Sequence, residues 1–536
     1  MKKTAILLLL VGITASAGAQ TMYDAYNFSK SDYVGTARTM AMGNAFTALG
    51  GDIGAVSINP AGSAVARYSQ ASISPGINIS VNTALGTSTE WFEKNLRTYM
   101  TKFAMPNFGF SINFDTHRLS GLKNWSLGFV VNRTGTYQDD MVAQGSNALT
   151  TFAGSMASFA EGFDPAELGA EDAYNNFDWR SVVSYGSGII GEIDGTHEYA
   201  GVTEDVENGQ CFLAAPIDQK FARRTLGSRQ DYILNFGTNF SDIIFVGVNL
   251  GITSINYTHD YYILESAQEP DMFSTRFNSL KYNYGYAASG TGIYGKFGII
   301  ALPFKGLRVG AAIQTPTSTT IRETWHMSAE QSCYATGENS YPEGNASSPE
   351  GEYEYNLISP FRFNVGAAYT FGSIGLISID YEMCNYRSMS FHEIGTNDDT
   401  AFEVTNTDIR NVMGTTHELR AGIEFKPLPE LSVRAGYNFQ TNPIPSDIDY
   451  ENQYIWERTE GNTHSASLGI GYSSKGSFFA DLAARMTKYP DRYIYPYDYY
   501  TYDEDWNQYV DASVPTPEIL SKKMLWNVLL TIGFRF

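Results

Sequence analysis

The chain has 536 residues, a formal net charge of −21, 14% aromatic residues and only 17% charged residues, whereas soluble domains carry about 25% charged residues. The acidic balance argues against a nucleic-acid partner and against a polybasic lipid contact, because both need an excess of Lys and Arg. Cys211, Cys333 and Cys384 are too scattered to form a disulfide framework or a zinc site, although a single bond between Cys211 and Cys333 stays open. The histidines show no catalytic or metal-binding spacing, so we expect no enzyme, no cofactor and no metal.

The chain begins MKKTAILLLLVGITASAGAQ. Two lysines, a short apolar run and the small residues Ala17, Gly18 and Ala19 have the order of a secretory signal peptide, which predicts cleavage after Ala19 and export. No later stretch approaches the roughly 18 uninterrupted apolar residues of a membrane-spanning helix. These features favour an exported protein that is not a helical membrane protein.

Period-two segments recur along the rest of the chain. The clearest is the last, WNVLLTIGFRF, in which Trp526, Val528, Leu530, Ile532, Phe534 and Phe536 share one face. Each segment is about 9–15 residues long, enough to cross a bilayer as a tilted strand. The pattern predicts fourteen strands near residues 69–82, 104–114, 124–137, 228–240, 243–258, 287–302, 306–321, 359–371, 373–388, 414–427, 430–441, 463–473, 476–489 and 523–536.

The lengths of the connections test this segmentation independently. Connections after the even strands are short and those after the odd strands are long, the largest being residues 138–227. Outer-membrane barrels alternate short periplasmic turns with long extracellular loops in this way, whereas a soluble β-sandwich would leave an intolerably large apolar face in water. We therefore predict an all-β, 14-stranded antiparallel transmembrane β-barrel over residues 69–536, monomeric and multi-pass in the bacterial outer membrane. The terminal Phe536 resembles the aromatic residue that barrel-assembly machinery reads.

Residues 20–68 precede the first strand and form a segment rich in glycine and small apolar residues. A segment of this size cannot build its own core. A barrel of fourteen strands encloses more space than its own side chains fill, so the lumen is the shelter that the fold offers. We expect residues 20–68 to lie inside the barrel as a small hatch.

The same segment carries a resemblance to a known family. GTARTMAMGNAFTALGGDIGAVSINPAGSA (35–64) resembles the N-terminal hatch signature of the FadL/TodX family of hydrophobic-compound channels, and so do the strand segments LRVGAAIQTPT (307–317), SPFRFNVGAAY (359–369), LISIDYEM (376–383) and LSVRAGYNFQTNPIP (431–445). The resemblance implies passive uptake of fatty-acid-like or aromatic molecules, a hatch that gates the lumen, and exit through a sideways gap in the wall. It also implies that hatch residues lie beside the inner ligand pocket: Asn59, Pro60, Ala61, Gly62, Phe46 and Leu49. Read alone, Asn59-Pro60 is a tight turn that any loop can contain.

Two extracellular segments have apolar residues at helical spacing. WFEKNLRTYMTKF carries Trp91, Phe92, Leu96 and Met100 with Tyr99 and Phe103, and TTFAGSMASFAEGF carries Phe152, Met156, Phe159 and Phe163. We predict that both are helices whose apolar faces capture a hydrophobic ligand above the membrane. The alternative is that they pack on each other as a lid, and both interpretations can hold together.

Strand parity places a set of charges in the lumen: Arg308, Arg362, Arg420, Arg434, Arg485, Asp380, Glu382, Glu418, Glu424 and Asp481. Cross-strand pairing is the simpler interpretation, and an unpaired arginine could instead hold a carboxylate. Arg133 breaks the alternation of the third strand and would point at lipid. Either it lies at headgroup level or the strand kinks there, and the family's opening in its third strand makes Arg133, Thr134 and Gly135 the candidate for lateral exit.

The predicted function is an outer-membrane channel for hydrophobic small molecules, with that ligand, outer-membrane lipid and the barrel-assembly machinery as partners. The alternative is a protein-binding barrel of the secretion-shuttle type, which reuses the same fold for partner proteins.

Overall fold

Fourteen antiparallel strands close into a barrel in the computed structural model of the chain, and its N-terminal segment is helical. The structure describes residues 20–207, 210–334, 343–395, 400–444, 457–503, 508–511, 514 and 516–536, so the predicted signal peptide lies outside the described residues. The barrel closes where the last strand pairs with the first, Phe534 opposite Ala71 and Trp526 opposite Ile79.

Several strands consist of two consecutive segments separated by a short irregularity. The barrel strands in chain order are β1 (Gln70–Gly86), β2 (Leu96–Asp115), β3 (Leu122–Thr136 and Asp139–Asn147), β4 (Ile217–Phe240), β5 (Ile244–Ala267), β6 (Phe277–Phe304), β7 (Leu307–Gln314 and Ser318–Cys333), β8 (Gly351–Ile358 and Arg362–Thr370), β9 (Gly375–Asn385 and Ser390–Glu393), β10 (Thr415–Leu428), β11 (Leu431–Gln440), β12 (Glu457–Glu460 and Thr463–Ser473), β13 (Phe478–Lys488 and Asp491–Ile494) and β14 (Ile519–Arg535).

Helices occur in the hatch and in the extracellular loops. They are α1 (Met22–Ser29), α2 (Ala37–Ala41), α3 (Gly62–Val65), α4 (Phe152–Ala160), α5 (Pro165–Leu168), α6 (Ala173–Asn176), α7 (Trp179–Gly186) and α8 (Glu403–Val412), with a 3₁₀ turn at Gly54–Ser57. Among the described residues, no helix combines the length and the apolar character needed to cross a bilayer. Short hairpins complete the loops, for example Glu204–Glu207 paired with Gln210–Leu213.

The outer face of the barrel carries a belt of exposed apolar side chains. Leu468, Ile293 and Ile423 are each more than half exposed, while their sequence neighbours point inward, as the pleat of a strand requires. Such a belt is the outward face expected of a barrel in lipid. The predicted fold and all fourteen strands are confirmed.

Two sequence-based expectations about the extracellular half are wrong. Residues 91–103 form no helix, because from Leu96 onward they are strand β2, paired to β1 with Tyr99 opposite Val81. The strands also extend further than predicted: β4 begins at Ile217 and β3 continues to Asn147, so both ends of the expected loop 138–227 are barrel wall. Above the apolar belt neither face of the wall meets lipid, so the outward side chains become polar and the alternation that marks a membrane strand fades.

The lumen is filled in three layers. At the extracellular end, a mouth layer packs α4 and loop side chains against inward residues of β1, β3, β4, β5 and β6. Below it, an aromatic layer joins α1 and α8 to the wall through Tyr257, Tyr286 and Tyr355. At the periplasmic end lies the hatch, residues 20–68, whose core residues Phe46, Ala55 and Ile58 are buried.

Candidate functional site: the filled lumen and a break in the wall

The Asn59-Pro60 turn is the tightest point of the hatch. The Asn59 side chain donates to the carbonyl of Thr47 at 2.6 Å and to the wall carbonyl of Ile299 at 3.2 Å, while its Oδ1 accepts from the amide of Ala61 at 3.0 Å. Asn59 is completely buried. One side chain therefore closes the turn on itself and fastens it to β6, and its amide is committed to protein contacts.

A ring of glycines in the wall strands leaves room for hatch atoms to pack directly against the backbone of the wall. A Cβ atom added at Gly298 would lie 2.0 Å from Oδ1 of Asn59, one at Gly247 would lie 2.4 Å from the Pro60 carbonyl oxygen, and one at Gly436 would lie 2.1 Å from the Gly43 amide nitrogen. Real Cβ atoms essentially never approach this closely. The complete ring, around more than half of the barrel, is Gly109, Gly237, Gly247, Gly298, Gly310, Gly422, Gly436 and Gly469.

Ion pairs also fix the hatch to the wall. The Nε of Arg38 in the hatch lies 3.0 Å from Oε2 of Glu424, which also pairs with Arg434 at 2.7 Å. Arg485 on β13 pairs with Asp32 at 3.0 Å between Nη1 and Oδ1. Cross-strand pairing, expected for the luminal charges, is thus present between Glu424 and Arg434, and the Glu424 carboxylate holds the hatch as well.

Two wall arginines hold the end of helix α1. The Arg229 guanidinium donates to the carbonyls of Phe28 and Ser29, both at 3.1 Å, and Arg362 donates to the Ser29 carbonyl at 2.7 Å. These carbonyls are left unpaired by the helix itself, and a cation at a helix C-terminus is favourable. Helix α1 is thereby held in the aromatic layer, where the ring centroid of Phe28 lies 5.5 Å from that of Tyr257.

The ladder between β2 and β3 stops in the middle of the wall. Pairing runs from Asp115 opposite Asn124 up to Asn107 opposite Asn132 and goes no further. The pairing of β3 with β4 also shifts register between Arg133 and Gly135. A single bridge, Lys94 to Gln144, joins the two strands again near the mouth. We call this unpaired stretch, residues 96–106 of β2 facing residues 133–143 of β3, the wall break.

The hatch and a few side chains satisfy backbone groups along the wall break. The amide of Asp32 donates to the carbonyl of Thr134 at 2.7 Å, and the amide of Val34 donates to the carbonyl of Arg133 at 3.2 Å. Higher up, Nε2 of Gln138 reaches across to the Met100 carbonyl at 2.5 Å. Hydrogen-bonding groups that face an opening at membrane depth need such partners, because lipid provides none.

The aromatic layer lies immediately inside the wall break. Tyr137, which follows the irregular stretch of β3, has its ring centroid 6.3 Å from Phe28 and 5.1 Å from Tyr257. Thr134 points inward, with its hydroxyl 3.2 Å from Asp231. The break, the aromatic side chains and the end of α1 are therefore at one level, above the hatch core.

The predicted capture residues lie in or against the mouth layer. Trp91, Phe92, Phe152 and Met156 are buried there, and Phe159 and Phe163 pack against it. Leu96 and Met100 are on β2. Helix α4 is held by Glu265 of β5, whose carboxylate accepts from the amide of Phe152 at 2.7 Å and the hydroxyl of Thr151 at 2.6 Å. As a set, these side chains close the lumen and present no open apolar face.

The glycine ring and the arginines at the end of α1 were not predicted as site residues. The glycines could have been found in the sequence, because Gly237, Gly247 and Gly298 interrupt strands at inward positions and pair with one another across β4, β5 and β6. The contacts of Arg229 carry no such signal, because they join positions about 200 residues apart. Within the described residues, no cluster of His, Cys, Asp and Glu could hold a metal ion.

Two open surface cavities lie away from the break. One of about 620 Å³ is at the β10–β11 turn, lined by Leu428, Leu431 and Tyr472. Another of about 300 Å³ is at the extracellular rim beside Leu264 and Lys281. Neither is adjacent to the aromatic layer, so we place the candidate site by the wall geometry and not by cavity size.

Comparison with protein-family models gives no match, and comparison of the sequence with curated proteins gives none either. Solved structures do match over nearly the whole chain. The toluene transporter TodX of P. putida is 11% identical, with 94% of this chain and 98% of that chain covered and a TM-score of 0.50. A FadL homologue from Pseudomonas aeruginosa is 13% identical, with 94% and 98% covered and a TM-score of 0.48. The resemblance read from the sequence is confirmed at the level of the fold: the chain has the fold of the toluene transporter TodX.

Proposed function

We propose that the protein is an outer-membrane channel for passive uptake of hydrophobic small molecules, which enter at the mouth layer and leave sideways through the wall break. The observation that carries this proposal is the coincidence of level between the break and the aromatic layer. Tyr137 belongs to both, because it follows the irregular stretch of β3 and packs on Phe28 and Tyr257.

The hatch supports a sideways route. Below the aromatic layer, the lumen is occupied by a segment that touches the wall backbone at the glycine ring and is tied by ion pairs at Glu424 and Arg485. Movement of a ligand toward the periplasm would require these contacts to separate together. Movement through the break requires only single hydrogen bonds to separate: those of Gln138 and Thr98 across the break, and the two backbone bonds from Asp32 and Val34.

The chemical class of the ligand follows from the surfaces beside this route. The aromatic layer consists of apolar and tyrosine side chains, and the outer face of β2 next to the break exposes Phe103 and Met105. An apolar or aromatic molecule would move between similar surroundings and would not have to be hydrated on the way. TodX is a toluene transporter, which gives the proposal a first ligand class to test.

Gating by the hatch belongs to the same proposal. The bonds from Asp32 and Val34 to β3 occupy the edge of the strand at the break, and Arg229 and Arg362 hold α1 directly above them. Release of this short stretch, residues 22–34, would expose the inner side of the break while the glycine-docked core stays in place.

A bulky side chain at Gly135 tests the route. A Cβ atom at this position would lie 3.1 Å from the Cβ of Arg229 and 4.0 Å from the hydroxyl of Tyr137, so Gly135→Phe places a ring between the aromatic layer and the break. We expect slower uptake of a fluorescent hydrophobic probe into cells, with normal heat-modifiable migration of the barrel. Val131→Phe, on the outward face just below the break, is the matched control. Equal uptake by both variants and the wild type would refute lateral exit.

A further inference from the structure

A cluster of charged side chains lies in the lumen between the mouth layer and the aromatic layer. On β4, Arg223 is two residues below Phe221, which belongs to the mouth layer. On β3, Asp139 is two residues above Tyr137, which belongs to the aromatic layer. Arg223 is only 5% exposed and Asp139 only 2%. Both side chains therefore lie inside the barrel, where a ligand would pass from one layer to the other.

Two residues from β12 and β13 complete the cluster. Glu457 on β12 lies 3.3 Å from Arg223, between Oε2 and Nη1, and it also accepts from Nε of Arg492 on β13. Arg492 in turn lies 4.0 Å from Asp139, between Nη1 and Oδ2. Three strands, β14, β1 and β2, separate β13 from β3, so these contacts run through the lumen.

At one place in this cluster an unpaired donor faces an unpaired acceptor. Nη2 of Arg223 lies 3.8 Å from Oδ2 of Asp139, a distance that suits an ion pair but is too long for a hydrogen bond. Both atoms are buried, and neither has a hydrogen-bond partner among the described residues. Buried polar groups in this state cost free energy until a partner is supplied. The pair therefore calls for a third group, one that accepts from the arginine and donates to the aspartate.

Other atoms of the same two side chains are held in place. Oδ1 of Asp139 accepts from the side-chain amide of Asn82 at 2.9 Å, and the Asn82 carbonyl accepts from the Ser521 hydroxyl at 3.0 Å. Nη1 of Arg223 donates to Glu457 at 3.3 Å. Because each side chain is anchored through another atom, closing the gap between Nη2 and Oδ2 would strain one of these bonds.

We propose that Arg223 and Asp139 form a subsite for the hydroxyl group of an apolar ligand, such as a phenol, whose apolar part lies in the aromatic layer below. A hydroxyl group both accepts and donates at one oxygen, so it can bond to Nη2 and Oδ2 together. A water molecule can do the same, and a ligand hydroxyl that displaces it keeps both bonds. Tyr137 and Tyr257, with ring centroids 5.1 Å apart, provide the aromatic surface beneath the subsite.

Other ligand head groups fit this place less well. Two carboxylates, Asp139 and Glu457, already belong to the cluster, and an anionic head would bring its oxygens beside Oδ2 of Asp139. Lys523 on β14 also acts electrostatically on Asp139, and neighbouring cations favour the ionised form of an aspartate, which only accepts. A hydrocarbon would leave both atoms unpaired. A site built to bond a hydroxyl group rejects an analogue without one.

The inference rests on the proposed function, because it assumes that a ligand enters the lumen, but its test measures binding alone. Equilibrium dialysis of the purified full-length barrel in detergent compares 4-hexylphenol, 4-hexylanisole, 4-hexylbenzoate and hexylbenzene, with correction for uptake by protein-free micelles. We expect wild type to bind hexylphenol about tenfold more tightly than hexylanisole, a difference of about 1.4 kcal/mol. The methylated oxygen of hexylanisole accepts but cannot donate, so this comparison tests the subsite without any variant.

Arg223→Met should remove the preference for hexylphenol. The matched control is Arg224→Met, which removes the adjacent, exposed arginine that pairs with Asp140 at 3.1 Å and should keep the preference. Heat-modifiable migration checks that both barrels are folded.

Four results would overturn the subsite: equal binding of hexylphenol and hexylanisole by wild type, stronger binding of hexylbenzoate than of hexylphenol, an unchanged preference in Arg223→Met, or an equal loss of preference in the control. Binding of hexylbenzene with no preference among head groups would refute the subsite alone. Absence of binding of all four ligands would count against the proposed function as well.

Discussion

The backbone amide of Asp32 lies 2.7 Å from the carbonyl oxygen of Thr134, so the hatch takes over a hydrogen bond where β2 has left β3. The same aspartate forms an ion pair with Arg485 on β13. One hatch residue thus connects the irregular part of the wall to β13, which lies beyond β1 and β14. A change at the break is mechanically linked to the ion pairs of the lumen.

Gly298→Ala should loosen the hatch without preventing barrel assembly. The new Cβ would lie 2.0 Å from Oδ1 of Asn59, and overpacking of this kind costs about 1–3 kcal/mol. Limited proteolysis from the periplasmic side should cut residues 20–68 faster than in wild type. Gly295→Ala, three residues away with an ordinary 3.7 Å contact to Thr315, is the control, and equal cleavage of the two variants would contradict the tight fit.

Deletion of residues 22–60 should leave a folded barrel with increased conductance in planar bilayers. The deletion removes the glycine-docked segment and the partners of Glu424 and Arg485, so water can enter the lumen and solvate these charges. Single-channel recording measures the effect. Conductance equal to that of wild type would show that the hatch does not block the lumen.

A membrane-impermeant maleimide applied to intact cells should label Cys211 and spare Cys333 until the protein is denatured. All three cysteines are free; Cys211 is exposed on its loop hairpin, whereas Cys333 is buried. Cys333 ends strand β7, where its side chain packs into the mouth layer. Labelling of Cys211 only from the periplasmic side would invert the topology.

The rate of Cys211 labelling should rise about tenfold per pH unit between pH 8 and 10. The thiol of Cys211 donates to the Tyr199 carbonyl. Desolvation of the sulphur, followed by the nearby carboxylate of Glu204, raises the pKa of this thiol to about 11. The thiolate is the reactive form, so a raised pKa leaves it scarce below pH 11 and its fraction grows as pH increases. Stopped-flow labelling measures the profile, and a rate that levels off near pH 8 would show an ordinary thiol.

Glu265→Ala should open the mouth layer. It leaves the buried amide of Phe152 without a partner, at a cost of about 1–3 kcal/mol. Thr151 Oγ1 and Gln219 Nε2 lose one partner each and keep Thr203 and Tyr497. Hydrogen exchange of the α4 amides should accelerate accordingly. Asp260→Ala, an exposed position on the same strand, is the control, and unchanged exchange in Glu265→Ala would show that α4 is held by apolar packing alone.

The sequence was most informative where one face of a strand meets lipid. The alternation in β14 from Trp526 to Phe534 is unambiguous because every second side chain lies in the apolar belt. The spacing of apolar residues gave a wrong prediction of a helix at residues 91–103. Tyr99 and Phe103 are four residues apart, a spacing that fits one face of a helix as well as one face of a strand. Only the pairing with β1, which depends on residues outside the segment, decides between the two.

The candidate site was predictable in part. Arg133 breaks the alternation of β3 one residue beyond the last β2–β3 pair. A charged side chain at a lipid-facing position therefore indicated, from the sequence alone, where the strand becomes irregular. Its role in ligand exit stays a prediction. The exposure of Lys102 on β2 could not be predicted. It results from the absence of a paired β3 neighbour, which the local sequence of β2 does not reveal.

The residue before β1 and the residue after β14 meet at the seam of the barrel. Ser69 and Phe536 exchange backbone hydrogen bonds of 3.0 and 2.9 Å, and the hatch amide of Ala37 donates to the Thr531 hydroxyl on the closing strand at 2.7 Å. The last strand to be synthesised therefore completes the cylinder by docking on the first strand and on the segment enclosed within it. The N-terminal segment therefore stabilises the seam as well as filling the lumen, because the closing strand binds it directly in addition to the first strand.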